Sequence, residues 1–466
     1  MACLTNEEIK ALEKEASKDE YRLAYHLMPP TGWLNDPNGL CKFKDTYHLY
    51  YQYSPTNCYG GDKFWGHYST KDFITFKNEP VALYPDIALD QGGVYSGSAI
   101  VKDQTIYYYY TGNVKHPGNY DYVNSGREHN TIMFTSQDGY KFTDKVCLMK
   151  NEDYPSDLTL HVRDPQVTKN GDHYNMILGA RTKEDVGCCL LYRSDDLKHF
   201  ELVNRIVTKE KFGYMWECPN LVSFDDQMVL ICCPQGVDKQ GYNFESVYQN
   251  GYFLVSGDLE KEYQLSKFVE LDHGFDYYAP QLLLDDNKRV IMVGWMGLPD
   301  TDYTNPTTNY NWQHALALPR QLTFKNNKVY QYPIEETKNL RANQKDMVVN
   351  KQLKMDLDTN NFELYLPVNN HDFQIHLRND AIIDYHDNLL TLSMKESGYG
   401  RDARHIEIDK LENMTIFSDT SSLEIFINDG EFALTTRIYD RSKKLEISID
   451  TNITCTYYEL NGYKII

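Results

Sequence analysis

The chain has 466 residues, 41 % hydrophobic and 24 % charged, enough for two domains with their own cores and ordinary for a folded soluble protein. A formal net charge of −20 disfavours general binding to nucleic acid or an anionic membrane, while leaving room for an anionic substrate in a local cationic pocket. No apolar run is long enough to span a bilayer; Met1 to Tyr21 is rich in Glu and Lys and has no signal-type apolar core, so a cytoplasmic location is expected.

Thr5-Asn6-Glu7-Glu8 is a capping-box pattern that opens a short polar helix to about Lys18. Strands and turns follow almost throughout. Tyr47–Tyr53, Thr105–Tyr110 and His173–Leu178 are short, β-prone and bounded by turn residues. A repeat runs through this region: Ser69-Thr70-Lys71-Asp72-Phe73, Ser136-Gln137-Asp138-Gly139-Tyr140, Ser194-Asp195-Asp196-Leu197 and Ser256-Gly257-Asp258-Leu259. Its aspartates recur about every sixty residues, somewhat longer than a kelch period, each where a turn before an outer strand is expected.

A second set of segments keeps the same beat: Asp36, Tyr95-Ser96-Gly97-Ser98, Asp164, Glu217 and Tyr278-Ala279-Pro280-Gln281. Radially repeated sheets form a β-propeller, and the innermost strand of each blade is an edge strand, where proline is tolerated. That explains Asp36-Pro37, Asp164-Pro165 and Cys218-Pro219. Proline also biases the residue before it towards extended geometry. The fold expected is all-β: an N-terminal helical extension over 1–25, a five-bladed β-propeller over 26–335, a polar linker over 336–350 with some helix, and a β-sandwich over 351–466. The sandwich rests on alternating segments such as Phe362–Leu366, Phe373–Leu377, Leu423–Ile427 and Leu445–Ile449, with Asn428-Asp429-Gly430 as a hairpin signal.

The ten cysteines show no zinc-type spacing, and the adjacent pairs Cys188-Cys189 and Cys232-Cys233 suit free buried thiols in a reducing compartment. Of the 38 tyrosines, strand propensity accounts for most; a minority is expected to line a sugar site, where a flat face with a polar tip fits a carbohydrate.

Two carboxylates are the minimum for splitting a glycosidic bond, one as general acid and one as base or nucleophile. A third can orient ring hydroxyls. Asp36, Asp164 and Glu217 are read as three acids at equivalent places in three blades. Taken alone, Asp36 in Asn35-Asp36-Pro37-Asn38-Gly39 is turn chemistry, and Asp164 has Arg163 as a plain ion-pair partner. Glu217 is harder to dismiss: between Trp216 and Cys218, an acid among apolar neighbours is costly unless paired or protonated, and a proton is what a general acid needs. No Ser-His-Asp or Cys-His arrangement, Gly-rich phosphate loop or metal-ligand grouping stands out; neither a metal nor a cofactor is expected. A non-catalytic sugar-binding propeller is the reading from another class, disfavoured because such a module has no use for three acids in one funnel.

The ordered motifs resemble glycoside hydrolase family 32. They are His26–Pro30 running into Trp33–Gly39, Phe64-Trp65-Gly66-His67, Tyr95–Ser98, Tyr110–Lys115, Arg163-Asp164-Pro165, Met215–Pro219, Gly294–Gly297 and Ser422–Gly430, covering nearly the whole chain from His26. The family's five-bladed propeller and sandwich agree with the repeat. The resemblance implies a retaining β-fructofuranosidase acting on sucrose 6-phosphate or sucrose, with exo-cleavage of inulin- or levan-type chains as the alternative, working as a monomer or homodimer. It makes Asp36 the nucleophile, Glu217 the acid and then base, and Asp164, beside Arg163, the holder of fructose hydroxyls. Asn35, Gln52, Trp65, Tyr95 and Ser96 would line the fructose subsite, joined by Tyr278 and Trp295. Trp33 stands where many bacterial relatives carry a smaller residue, and His161-Val162-Arg163 replaces their commoner His-Phe-Arg. No motif singles out the cations for a phosphate; His314, Arg320 and Lys115 are candidates by residue type alone.

Overall fold

A computed structural model describes residues 6–466; Thr5, the first member of the expected capping box, lies outside them. Asn6–Ala16 is α-helical, with Glu7 and Glu8 in its first turn and Lys14 in its last, an arrangement that complements the helix dipole. No helix among the described residues is long and apolar enough to cross a membrane.

From Gly32 to Pro333 the chain lies in successive antiparallel sheets, each made mainly of consecutive strands. The first contains Gly32–Phe43, Thr46–Ser54, Phe64–Thr70 and Thr75–Leu83. The later sheets begin with Val94–Lys102, Leu158–Asn170, Met215–Phe224 and Tyr278–Leu284. These opening strands pack on one another in turn, and Tyr278–Leu284 packs back on Gly32–Phe43. The result is a β-propeller with the opening strands innermost.

Side chains tie the inner strands together. Gly97 N donates to Asn38 Oδ1 at 3.2 Å, Val167 N to Ser98 Oγ at 3.2 Å, and Leu221 N to Gln166 Oε1 at 3.2 Å. Asn220 Nδ2 donates to Pro280 O at 3.0 Å, and Gln281 Nε2 to Gly97 O at 2.5 Å. These bonds satisfy backbone groups that a strand lying innermost presents with no ladder partner on one side. Gly97 has to be glycine, since a Cβ there would lie 1.9 Å from Tyr109 O.

Each inner strand is also bulged where the sequence places its functional segment. The register slips between Leu34 and Pro37, Val94 and Gly97, Arg163 and Gln166, Glu217 and Asn220, and Tyr278 and Gln281. Bulges re-aim side chains and are common beside active sites. They overturn one expectation about prolines: Asp164, Cys218 and Ala279, each followed by proline, have φ of +63°, +47° and +48°, not extended geometry. The inter-strand bonds hold these residues where isolated L-residues rarely sit.

The repeat marks turns into outer strands, as expected. In the first three copies a hydroxyl accepts the N–H three residues on: Thr70 from Phe73, Ser136 from Gly139 and Ser194 from Leu197, each at 2.9 Å. The aspartate between them accepts the next two N–H groups, as Asp138 does from Tyr140 and Lys141 at 2.8 Å. The matching hydroxyl in the first copy is therefore Thr70, not Ser69. The fourth copy keeps Asp258 accepting from Glu260 N at 2.9 Å.

From residue 341 the chain enters a ten-stranded, sandwich-like sheet. Its spine is Lys444–Leu460, paired with Phe373–Leu377 along its first half and Phe362–Leu366 along its second. The polar segment 336–350 is not a free linker: Glu335–Leu340 is a 3₁₀ helix and Arg341–Asp356 is a strand on that spine. Asn428-Asp429-Gly430 joins Ser422–Ile427 to Phe432–Arg437, as the hairpin signal implies. All nine described cysteines are free.

Propeller and sandwich meet through buried charges. Arg320, fully buried, donates to Asp272 at 3.0 Å and to Glu424 at 2.6 Å, with the Tyr277 ring 4.4 Å away. Both its arms are structural, which removes it as a phosphate candidate. Arg401 forks onto Asp276 at 2.7 and 2.8 Å. His26 lies with Nδ1 2.7 Å from Asp419 and Nε2 2.8 Å from Glu424, so the opening motif and Ser422–Gly430 are matched halves of one joint. Burial alone would lower the His26 pKa, but the bonds to Asp419 and Glu424 carry it up from 6.5 to about 9. Stabilisation from a raised pKa is complete below about pH 6.5 and is lost as pH rises through about 9. His26→Gln should therefore cost about 3 kcal/mol near pH 6 and much less above about pH 9.5. Urea midpoints at the two pH values measure this, and a pH-independent difference would contradict the charged assignment.

Candidate active site

Asp36 sits in the first bulge, half-buried. Its Oδ1 accepts from Asn35 Nδ2 at 2.9 Å and its Oδ2 from Ser96 Oγ through a short bond. Gln52 links the two donors, accepting from Asn35 Nδ2 at 2.7 Å and donating to Ser96 Oγ at 2.7 Å. Burial raises the Asp36 pKa; the bonds from Ser96 and Asn35 oppose this, the charge on Glu217 adds to it, and Lys63 draws it back.

Asp164 sits in the third inner strand, its backbone N–H donating to Thr111 Oγ1 at 2.9 Å. Its Oδ2 accepts from Cys218 N at 3.0 Å and lies 3.9 Å from Arg163 Nε. Burial pushes its pKa up, Arg163 pulls it down, and the charges of Glu217 and Asp36 raise it again, to about 7. Cys218 Sγ lies 3.7 Å from Asp164 Oδ2 and 3.8 Å from Asp36 Oδ2, so one thiol touches both carboxylates. Burial holds that thiol's pKa well above its usual range.

Glu217 is the residue before Cys218. Its apolar sequence neighbours are not its neighbours in space: Trp216 is fully buried against Phe253, 5.3 Å between rings. The Glu217 carboxylate is instead met by donors on both oxygens. Oε1 accepts from Arg163 Nε at 3.0 Å and Nη2 at 2.7 Å; Oε2 accepts from Gln235 Nε2 at 2.6 Å and Tyr278 OH at 2.7 Å. Nor are the three acids at equivalent positions. The place of Asp164, left-handed and before proline, is filled by Cys218 in the next strand and Ala279 in the one after. Glu217 matches Arg163 and Tyr278, one residue earlier, and those are the two side chains that bind it.

Of the other residues read from sequence, Asn35, Gln52, Ser96, Arg163 and Tyr278 touch an acid or the donor that holds it. Tyr95, half-buried, lies close enough to Arg163, Asp164 and Glu217 to feel their charges, though burial is the main cause of its raised pKa. Trp65 is core: fully buried between Tyr50, Tyr110 and Phe134, it reaches the site only through its N–H, which donates to Tyr95 O at 3.0 Å. Trp295 packs with Trp33 at 5.8 Å, His314 at 5.0 Å and Tyr278 at 6.4 Å, closing the wall between the first and last inner strands.

Three residues of the site were missed. Lys63 donates to Asn35 Oδ1 at 2.8 Å and lies 4.9 Å from the Trp33 ring; burial lowers its pKa to about 8 against the pull of Asp36. Gln235 binds Glu217 across a hairpin in which Glu217 faces Cys233, so strand alternation puts it on the same face two residues on. Nothing in the residue type of Cys218 marks it, yet its N–H holds Asp164. Among the departures, Trp33 Nε1 donates to Asn35 Oδ1 at 2.7 Å, and Val162 is buried in the core behind His161 and Arg163.

Comparison with known proteins agrees with this architecture. The chain is 38 % identical over 449 residues to sucrose-6-phosphate hydrolase of Bacillus subtilis, covering 93 % of this chain and 92 % of that one. It is 35 % identical over 481 residues to the Staphylococcus xylosus protein of the same name, covering 98 % and 95 %. The solved structure of sucrose-6-phosphate hydrolase from Lactobacillus gasseri superposes with a TM-score of 0.90 at 30 % identity, covering 99 % and 97 %. A family 32 beta-fructofuranosidase from Bombyx mori gives 0.83 at 25 % identity, covering 99 % and 100 %. Residues 26–333 match the model of the glycosyl hydrolases family 32 N-terminal domain and residues 333–459 that of its C-terminal domain, and on these matches the chain belongs to glycoside hydrolase family 32.

Proposed function

We propose that the protein is a retaining β-fructofuranosidase that releases fructose from sucrose 6-phosphate or sucrose. The observation that carries the proposal is the meeting of three acids from three inner strands around Cys218, with Asp36 and Asp164 both within 3.8 Å of its sulfur and Glu217 the adjoining residue. In the first step Asp36 attacks the anomeric carbon of the fructosyl unit while Glu217 gives a proton to the departing oxygen. In the second, Glu217 takes a proton from water, the water oxygen bonds to that carbon, and Asp36 leaves. Asp164 and Arg163 hold fructose hydroxyls and balance charge as the oxocarbenium-like state forms. The Ser96 and Asn35 bonds favour ionised Asp36, the form a nucleophile needs. Asn35, Gln52, Ser96, Tyr95, Tyr278 and Trp295 wall the sugar site.

The packing of each inner strand on the next, with the last returning to the first, supports a ring of five blades. The boundary is drawn near residues 333–341, with the segment up to residue 25, which carries the helix Asn6–Ala16, as an N-terminal extension.

The names of the Bacillus, Staphylococcus and Lactobacillus relatives favour sucrose 6-phosphate and sucrose over longer chains. Rates of fructose release from sucrose 6-phosphate, sucrose and a short inulin or levan chain decide the matter. The two disaccharides should be cleaved faster than the fructan. A faster rate on fructan would make the enzyme an exo-fructosidase, and binding without release would leave a sugar-binding propeller.

A further inference from the structure

A second group of side chains continues from Glu217 through Arg163. Arg163 Nη1 donates to His161 Nδ1 at 2.6 Å, and His161 Nε2 donates to Tyr122 O at 3.0 Å. The His129 ring meets the His161 ring edge-on at 5.5 Å and the Tyr95 ring at 5.7 Å. Arg127 Nη1 lies 3.1 Å from His129 Nε2, and Arg127 pairs in register with Lys115 on the neighbouring strand. Lys115 is exposed, its ammonium 5.7 Å from the Tyr122 ring.

These charges are uncompensated. Among the described residues no carboxylate lies within ion-pair distance of either Arg127 or Lys115, although 67 acids outnumber 47 bases in the chain. Of the two acids nearest in sequence, Glu128 pairs with His116 at 2.8 Å, and Asp121 accepts the backbone N–H groups of Val123, Asn124 and Ser125 in its own loop. Arg127 Nε is buried and meets no acceptor. A buried donor left unpaired and cations that repel one another both cost stability, and such costs are typical of a site that awaits an anion. Of the cations beside the acids, Arg163 is taken up by Glu217, and Lys63 bonds Asn35 and feels the charge of Asp36. Arg320 is locked in the interdomain joint, and His314 is buried and held neutral, burial lowering its pKa to about 3.

We infer that Arg127 and Lys115 bind the phosphate monoester of a phosphorylated disaccharide, carried on the leaving sugar. The placement follows from the chemistry: the acid that protonates the departing oxygen stands next to the leaving sugar, and a chain of contacts through Arg163, His161 and His129 joins that acid to Arg127. A planar guanidinium with a free Nε–H suits a phosphate, and a flexible ammonium completes its charge. The inference rests on the β-fructofuranosidase reading and narrows it to phosphorylated over free sucrose.

The test compares kcat/KM on sucrose 6-phosphate and on sucrose for the wild type, Arg127→Gln, Arg127→Lys and Lys115→Ala, with inorganic phosphate as a competitive inhibitor of sucrose cleavage. The wild type should prefer the phosphorylated sugar. Arg127→Gln should reduce that preference at least about tenfold, as loss of a charged hydrogen bond implies, and weaken inhibition by phosphate in parallel. Arg127→Lys should keep part of both, and Lys115→Ala, at an exposed position that does not endanger folding, should lower both several-fold. A preference that survives in both Arg127→Gln and Lys115→Ala, or a wild type that cleaves both sugars equally well, overturns the inference and leaves the fructosidase intact. A wild type that releases fructose from neither sugar overturns the fructosidase reading and the inference with it.

Discussion

Asp36→Asn should lower kcat/KM on sucrose by at least about 10⁴-fold while leaving the protein folded, because an amide cannot form the covalent intermediate. The substitution keeps size and shape. The amide oxygen can accept from Asn35 Nδ2 while the amide nitrogen faces Ser96, whose hydroxyl can accept as well as donate, and the side chain is already half-buried among polar groups, so no cavity or new buried charge arises. That separates a nucleophile from a turn residue. If Asp36 served only to shape the bulge before Pro37, its amide would serve about as well and activity would survive. The measurement is fructose release at saturating and sub-saturating sucrose beside a thermal melt of the same preparation. Loss of activity with an unchanged melt supports the role; near-normal activity would reject it.

Glu217→Gln should lower kcat/KM on sucrose by about 10²- to 10⁴-fold, the range for removal of a general acid. A fructoside with a good leaving group should lose far less in its first step, since its departing atom needs no proton. The carboxylate is held by Arg163, Gln235 and Tyr278, and two readings of that cage differ in consequence. If Glu217 only anchored Arg163, its loss would slow every substrate alike by loosening the guanidinium. If it gives a proton, the loss depends on the leaving group. Equal losses on sucrose and on an activated fructoside would therefore sink the acid role.

Much of the propeller was legible because its signals are local. Hydroxyl-and-aspartate turns recur before outer strands, and inner strands carry polar or small residues where bulges fall. What the residue pattern hides is geometry set by closure. Nothing in Trp216-Glu217-Cys218-Pro219 says that the bulge residue is Cys218 and that Glu217 belongs one place earlier, with Arg163 and Tyr278; that offset follows from the φ of three residues before proline. Trp65 sits in a motif beside site residues, yet strand alternation turns it into the core. Arg341–Asp356 was missed because only Met347 and Val349 along it are buried, so it has no apolar run to announce a strand. Lys63 and Gln235 were missed for a related reason: each acts on a residue far away in sequence, Gln235 across the hairpin that carries Glu217 and Lys63 from just before the strand Phe64–Thr70, two strands away from Asn35.

The most direct test is to expose Glu217→Gln to an activated fructosyl donor such as a fructosyl fluoride, quench it and map the protein by peptide mass spectrometry. With the acid removed but a leaving group that needs none, the intermediate should form and then wait for a water that no base activates. One fructosyl unit should be found on the peptide carrying Asp36, and it should be absent when Asp36 is also replaced by asparagine. A fructosyl unit on another residue, or turnover that proceeds with no adduct at all, would contradict the claim that these acids from separate strands act as one retaining site.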